Sequence, residues 1–219
     1  MKNDKKLKEL KAAYDKTVDD FRAGIDPLDC LPKDFRESDE VKKLFEGDQV
    51  DSNMPEDKDF LNPQPGMKFL DVGCCANLFN YRLDKWPSEY YGIDISPKLI
   101  EAMKGFVAKN NLSIGGLYVQ DVANMSFDND FFDIASVIGV VEYFDLAFVK
   151  RALKELHRVI KPKGKMVIDM LNLNHPGCET VIKVEEYQGR KHAEVIPSQE
   201  DFIDALKPFF TIERIDDSK

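Results

Sequence analysis

The stretch Phe69-Leu70-Asp71-Val72-Gly73-Cys74-Cys75-Ala76-Asn77-Leu78-Phe79 constrains this chain more than any other. A short apolar run reaches an acid, a glycine follows two residues later, and a turn then leads into helical spacing. That pattern predicts a strand–turn–helix element, which can hold a ligand at the end of the strand. A second apolar run, Tyr90-Tyr91-Gly92-Ile93-Asp94, ends in an acid 23 residues after Asp71. A carboxylate there can accept two hydrogen bonds from a ribose diol. Together the two elements predict a site for a nucleotide-like ligand.

From Met67 onward the chain alternates strand and helix. Strands are predicted at 68–72, 90–94, 116–120, 132–138 and 165–171, and helices at about 77–84, 97–109 and 147–160. Ser96-Pro97 supplies a cap with proline at the first helical position. Pro162-Lys163-Gly164 stops the helix that carries Leu153, Leu156 and Ile160. Repeated units of this kind predict an α/β fold with a doubly wound, mostly parallel sheet. Right-handed crossovers then put helices on both faces and the ligand at the carboxyl ends of the strands. Further on, Thr180-Val181-Ile182-Lys183-Val184 reads as β-like and Pro197-Ser198 opens a helix through Phe202 and Leu206. Phe209-Phe210-Thr211-Ile212-Glu213-Arg214-Ile215 reads as a terminal strand.

Residues 1–66 differ in character and are expected to form an N-terminal helical lid over a domain spanning 67–219. Lys5 to Phe21 has helical spacing through Leu7, Leu10, Tyr14, Val18 and Phe21. Val41 to Phe45 reads as a short helix, capped by Ser38 and closed by Gly47. Asn62-Pro63-Gln64-Pro65-Gly66 marks the boundary. Residues 172–196 are expected to be an insertion on the substrate side.

Composition excludes several classes of function. The net charge is −9, so nucleic-acid backbones are repelled over most of the surface and no nucleic-acid partner is expected. Lys161, Lys163 and Lys165 cluster, but they flank a turn. No apolar run approaches the roughly 20 residues of a membrane helix, and no membrane partner is expected. The lysine-rich start lacks the apolar core of a secretory signal, which makes a cytoplasmic location the expectation. Of the four cysteines, Cys30, Cys74, Cys75 and Cys178, none forms a CxxC pair. No structural zinc or other metal is therefore expected, and reduced thiols fit best.

Two ligand classes use this architecture. A dinucleotide site wants G-x-G-x-x-G, because pyrophosphate must come close to the backbone. Counted from Gly73, the second and third glycines fall on Cys75 and Leu78. Side chains stand where close approach is required, which disfavours a nicotinamide cofactor.

The chain resembles the class I S-adenosylmethionine-dependent methyltransferases of the small-molecule type. Asp71-Val72-Gly73-Cys74-Cys75-Ala76-Asn77 matches the family's Asp/Glu-x-Gly-x-Gly-x-Gly motif, with Cys75 and Asn77 in place of the second and third glycines. Asp94 matches its ribose-binding acid, and Val119-Gln120-Asp121-Val122 its third motif. Phe132 to Tyr143 resembles the fourth-strand motif, and Leu156 to Ile168 the turn before the fifth strand. The resemblance covers roughly 67–170, with a weaker match at 198–215. It implies S-adenosylmethionine as cofactor and a Rossmann-like methyltransferase fold.

The residues the resemblance assigns to the cofactor are Tyr14, Asp71, Gly73, Cys75, Asn77, Asp94, Ile95, Asp121, Val122 and Ile138. Asp71 would hold the methionine ammonium, Asp94 the ribose and Asp121 the adenine amine, with Ile95 and Val122 around the ring. Tyr14-Asp15 resembles a segment of the family's N-terminal helix that closes over the cofactor. Each has a plainer reading: Asp71 and Asp121 as caps, Ile95 and Val122 as packing, Tyr14 as part of an aromatic stripe. S-adenosylmethionine carries no phosphate, so small side chains are better tolerated. Cys75 is small, and asparagine at 77 accepts left-handed backbone better than most residues.

Methyl transfer to a small molecule is the function implied, as an in-line displacement at the sulfonium. A general base is needed only for an acceptor with a high-pKa proton. His175, Glu142 and Tyr143 are the catalytic candidates, His175 as a base and Glu142 and Tyr143 as residues facing the substrate. His157 and His192 read as structural or solvent-exposed histidines. The asparagine-proline-proline-aromatic motif of amide and adenine methylation is absent after Ser136. A protein of this fold without catalysis, working as a cofactor sensor or partner subunit, is the alternative, and a nicotinamide-dependent oxidoreductase the less favoured one.

Overall fold

The computed structural model describes residues 2–45, 54–194 and 197–216. Five strands form one fully parallel sheet in the order β3-β2-β1-β4-β5, with β1 at Lys68–Val72, β2 at Glu89–Asp94, β3 at Gly116–Val119, β4 at Phe132–Val137 and β5 at Ile160–Ile168. The doubly wound parallel sheet expected from the alternation is present. β1 lies at its centre and is buried along nearly its whole length, as its apolar run requires when both faces are covered.

Nine helices occur among the described residues: α1 at Lys2–Arg22, α2 at Lys33–Arg36, α3 at Asp39–Phe45, α4 at Pro55–Leu61, α5 at Asn77–Asn80, α6 at Pro97–Asn110, α7 at Leu146–Val159, α8 at Cys178–Tyr187 and α9 at Gln199–Leu206. Successive β1 residues face opposite layers. Phe69 joins Leu61, Leu78, Trp86, Tyr90 and Ile100 on the α4–α6 side. Leu70 joins Phe148, Leu153, Leu156 and Phe202 on the α7–α9 side. On α7, Phe148, Val149, Ala152, Leu153, Leu156 and Val159 are all buried, an apolar stripe at steps of one, three and four. A fully buried Leu or Phe contributes roughly 1.5–3 kcal/mol, so this stripe is a main anchor of the sheet.

The local signals act as expected at several ends. Ser96 Oγ accepts from Leu99 N at 3.1 Å to start α6, and Ser198 caps α9 in a reciprocal box with Asp201. Ser38 Oγ accepts from Val41 N at 3.3 Å at the start of α3; Gly47, expected to close that helix, lies outside the described residues. The helix expected over 77–84 is instead α5 plus a separate 3₁₀ turn, Leu83–Lys85, divided by Arg82 in left-handed backbone.

Three expectations are corrected. The segment 180–184 is the middle of α8, not a strand. Cys178, Val181, Ile182 and Glu185 follow helical spacing on its less exposed face, and Lys183 pairs with Glu179 one turn earlier at 2.7 Å. Residues 209–215 form no strand although their composition is β-like; Phe209, Phe210 and Ile212 pack instead on the core beside α7. Strand propensity mostly reflects fit to a neighbouring strand, and here the hydrophobic groups find helix α7. Finally, β5 begins at Ile160 rather than 165. Its pairing jumps from Phe132↔Ile160 to Ile134↔Lys165, so Pro162-Lys163-Gly164 is looped out of the ladder, with Lys163 at φ +69°.

No helix among the described residues is long and apolar enough to cross a membrane. Within the first 66 residues α1 reaches the carboxyl edge of the sheet, α3 packs through Val41 on Val184 of α8, and α4 supplies Leu61 to the core beneath β1.

Candidate cofactor and acceptor site

Parallel strands bring their carboxyl ends to one edge, and the loops after β1, β2, β3 and β4 frame a cavity there. Its empty space is about 530 Å³, open solvent included. Gly73 and Cys75 come from the first loop, Asp94 and Ile95 from the second, Gln120, Asp121 and Val122 from the third, and Gly139, Val140 and Tyr143 from the fourth. Leu7, Leu10 and Tyr14 of α1 close one side.

The first loop is shaped by two left-handed residues. Gly73 has φ +66°, and a Cβ there would lie 2.5 Å from Val140 Cγ2. Cys75 has φ +36°. The strain of the missing second glycine therefore sits on Cys75, while Asn77 is ordinary helix at the start of α5 and needs no left-handed tolerance. Cys74 N donates to Ile93 O at 2.9 Å and ties this loop to β2.

Asp94 is 6 % exposed, and both its oxygens are engaged by backbone. Oδ1 accepts from Ser96 N at 2.8 Å, and Oδ2 accepts from Cys75 N at 3.0 Å. Burial pushes its pKa up, against the pull of these N–H groups. Each oxygen keeps a lone pair for a further donor from the cavity. Asp121 Oδ1 accepts from Ala123 N at 2.9 Å in a local turn, and burial raises its pKa as well.

Asp71 lies elsewhere. The two-residue period of β1 puts it on the same side as Phe69, toward α5. It is 2 % exposed, accepts from Tyr90 Oη at 2.7 Å, and is approached by Asn77 Nδ2 at 3.3 and 3.4 Å. Burial pushes its pKa up to about 7, opposed by the Tyr90 and Asn77 hydrogen bonds. Asp71, Asn77 and Ile138 stand behind the cavity rather than among its walls.

Tyr14 and Asp15 of α1 have separate partners. Tyr14 Oη lies 3.3 Å from Tyr143 Oη, and the Arg190 guanidinium sits 5.2 Å from the Tyr14 ring centre. Asp15 Oδ1 accepts from Ser96 Oγ at 2.6 Å, docking α1 on the start of α6 beside Asp94.

At the far end of the cavity a short 3₁₀ turn, Val141–Tyr143, carries two of the acceptor-side candidates. Tyr143 Oη donates to Glu185 Oε1 at 2.7 Å. Burial, then the charges of Glu185 and Asp169, pushes the Glu142 carboxyl up to about 8. His175 is exposed, accepts from Gly177 N at 3.2 Å, and is not among the cavity walls. His157 is exposed on α7 near Phe209 and Phe210. His192 is buried in its loop: it is 9 % exposed, its ring stacks on Tyr143 at 5.0 Å, and its Nε2 is 2.9 Å from Glu185 Oε2.

Sequence reasoning missed Glu185, Arg190 and Asp169. Asp169 follows β5 and accepts from Gly139 N at 2.9 Å, which holds the fourth loop. Its place after an apolar strand was a usable signal. Glu185 and Arg190 carried none, because the segment leading to them reads as β-like and its helix brings them to Tyr143 only in the folded chain.

Comparisons with known proteins agree with this architecture. The methyltransferase domain family matches residues 70–168. The chain is 32% identical over 127 residues to a ubiquinone biosynthesis O-methyltransferase of Bradyrhizobium diazoefficiens, covering 58% of this chain and 49% of that protein. It is also 32% identical over 111 residues to a demethylmenaquinone methyltransferase of Geobacillus, covering 49% of this chain and 46% of that one. The chain thus spans about half the length of the curated relatives it matches. Among solved structures, the PH0226 protein of Pyrococcus horikoshii superposes with a TM-score of 0.58 at 22% identity, over 81% of this chain and 85% of that one. Motif, sheet order and family match thus coincide on one segment, residues 70–168, which carries the Rossmann-like fold of the methyltransferase domain family.

Proposed function

We propose that this protein transfers a methyl group from S-adenosylmethionine to a small oxygen-bearing acceptor of the quinol type. The observation that carries the cofactor half is Asp94. It lines the cavity, with Oδ1 accepting from Ser96 N and Oδ2 from Cys75 N, and its carboxylate keeps acceptor capacity beyond these two bonds. A ribose diol supplies two donors to match. Ile95 and Val122 flank the adenine, Asp121 receives its amine, and Gly73 and Cys75 present backbone to the methionine part. Tyr14 closes over the cofactor from α1. Asp71, Asn77 and Ile138 support the loops from behind, Asp71 by fixing Asn77 and Tyr90.

The acceptor half rests on the relative named a ubiquinone biosynthesis O-methyltransferase, and on Tyr143 in the cavity wall with Glu142 beside it. In the transfer, the acceptor oxygen's lone pair forms the new O–CH₃ bond while the S–CH₃ bond breaks with its electron pair retained by sulfur. The acceptor's proton leaves to a base or to water. The sulfonium is already a strong electrophile, so the protein contributes alignment and exclusion of water. Residues 1–66 act as the lid, with α1 its working element, over a domain spanning 67–219 whose 172–196 segment shapes the acceptor end. A net charge of −9 disfavours nucleic acid as the acceptor.

Calorimetry with S-adenosylmethionine, S-adenosylhomocysteine and NAD tests the reading, followed by transfer of labelled methyl to a panel of catechols and naphthoquinols. Micromolar binding of both sulfur ligands, no NAD binding and label on a quinol are expected. Binding without transfer to any acceptor would favour a sensor, and binding of NAD alone would overturn the reading.

A further inference from the structure

Beyond the cofactor cavity, three side chains converge without an evident reason. Glu142 follows β4, Glu185 lies on α8, and His192 follows it. One ligand atom from each falls within 4.8 Å of the others. His192 is 9 % exposed, yet neither of its ring nitrogens has a hydrogen-bond partner among the described residues, and Glu185 Oε2 has none either. Nε2 and Oε2 stand 2.9 Å apart but are not aligned for a hydrogen bond. Buried polar atoms are nearly always satisfied, so orphans that face one another mark a missing partner.

The spacing suits a metal ion. Bonds of about 2.0–2.2 Å to imidazole nitrogen and carboxylate oxygen put adjacent ligands on one metal about 3 Å apart. The Glu185–His192 separation of 2.9 Å has that value already, and a Glu142 oxygen lies within 4.8 Å of both. Glu185 Oε1 is held by Tyr143 Oη at 2.7 Å, and Tyr143 stacks on the His192 ring, so two of the three ligands are fixed from outside. Arg190, 3.9 Å from Glu185, is turned over the Tyr14 ring and supplies one positive charge against two carboxylates. His192 and Tyr143 also line a second hollow, of about 850 Å³ including open solvent, which gives an ion a route in.

We propose that Glu142, Glu185 and His192 form a mononuclear site for a divalent first-row transition cation at the acceptor end of the cofactor cavity. Two carboxylates with one imidazole suit Mn²⁺, Fe²⁺ or Zn²⁺ better than Mg²⁺ or Ca²⁺, whose preferred ligands are all oxygen. Three protein ligands leave positions open, and Tyr143 joins the site to the cavity wall. An acceptor oxygen can fill an open position, which fixes the acceptor beside the transferable methyl. That role rests on the methyl-transfer reading; the ion site itself rests only on the geometry.

The test is titration of the full chain with MnCl₂, followed by loss of the free-ion electron paramagnetic resonance signal. Mn²⁺ is chosen because it avoids the cysteine thiols. One ion per chain with a micromolar Kd is expected, weakened at least about tenfold in both Glu142→Gln and His192→Ala. Circular dichroism checks that each variant folds; should His192→Ala unfold, Glu142→Gln, which keeps the side-chain volume, decides alone. No stoichiometric binding, or binding unchanged in the folded variants, overturns the proposal. S-adenosylhomocysteine calorimetry on the same samples separates the two readings: cofactor binding without Mn²⁺ binding removes the ion site and leaves methyl transfer standing. Mn²⁺ binding without cofactor binding does the reverse.

Discussion

Asp94→Ala is the perturbation that bears most directly on the cofactor site. The native carboxylate accepts from Ser96 N at 2.8 Å and Cys75 N at 3.0 Å and has a lone pair left on each oxygen. Two ribose hydroxyls donating to it make two hydrogen bonds to a charged group, each contributing about 1.5–3 kcal/mol. Their loss amounts to about 3–6 kcal/mol, or roughly 10²–10⁴ in Kd. The fold suffers less. Truncation orphans the Ser96 and Cys75 N–H groups, which costs stability, but it also removes a buried carboxylate whose pKa burial has already raised, and the two effects oppose each other. Calorimetric titration with S-adenosylhomocysteine, paired with a thermal melt, separates the two effects. A variant that stays folded and binds within threefold of the parent would refute the assignment of Asp94 to the ribose.

Other residues give separate tests. Asp71 has a folded pKa near 7 against 3.8 when unfolded, so the contribution of this group is fully present below 3.8 and is lost as pH rises through 7. Three pKa units correspond to about 4 kcal/mol; Asp71→Asn should therefore raise the ligand-free melting temperature at pH 8 and have little effect at pH 4, and an equal effect at both would count against the burial argument. Gly73→Ala puts a Cβ 2.5 Å from Val140 Cγ2 at φ +66°; backbone strain alone costs about 1–2 kcal/mol, and cofactor affinity should fall with stability, so parent-like values of both would disprove the tight turn. Asp15→Ala removes the acceptor for Ser96 Oγ; α1 should become more accessible to trypsin in the absence of cofactor, and an unchanged digestion rate would mean that packing of Leu7 and Leu10 alone holds it.

The chain's sequence alone determined the parallel sheet, the element order and the loops that frame the cavity. Those features follow from local patterns: buried runs such as Phe69–Val72, a proline and serine at the start of α6, a glycine with positive φ at the first turn. Asp94 was legible for the same reason, since it is the last residue of a parallel strand, β2, and the carboxyl ends of the strands form the ligand edge. Tertiary structure decided what depends on contacts between distant segments. It turned Asp71 inward to Tyr90, because β1 alternates faces and Tyr90 lies on the same one. It made a helix of 178–187, where β-branched residues suggest a strand, because a helix puts Cys178, Val181 and Ile182 on one face and packs Val184 on Val41 of α3. It left 211–216 without strand pairing and laid Phe209 and Phe210 on α7. It also gathered Glu142, Glu185 and His192 from a turn, a helix and a loop. No local pattern announces that cluster, because its members are 43 and 7 residues apart in sequence and meet only when α8 folds back over the end of β4.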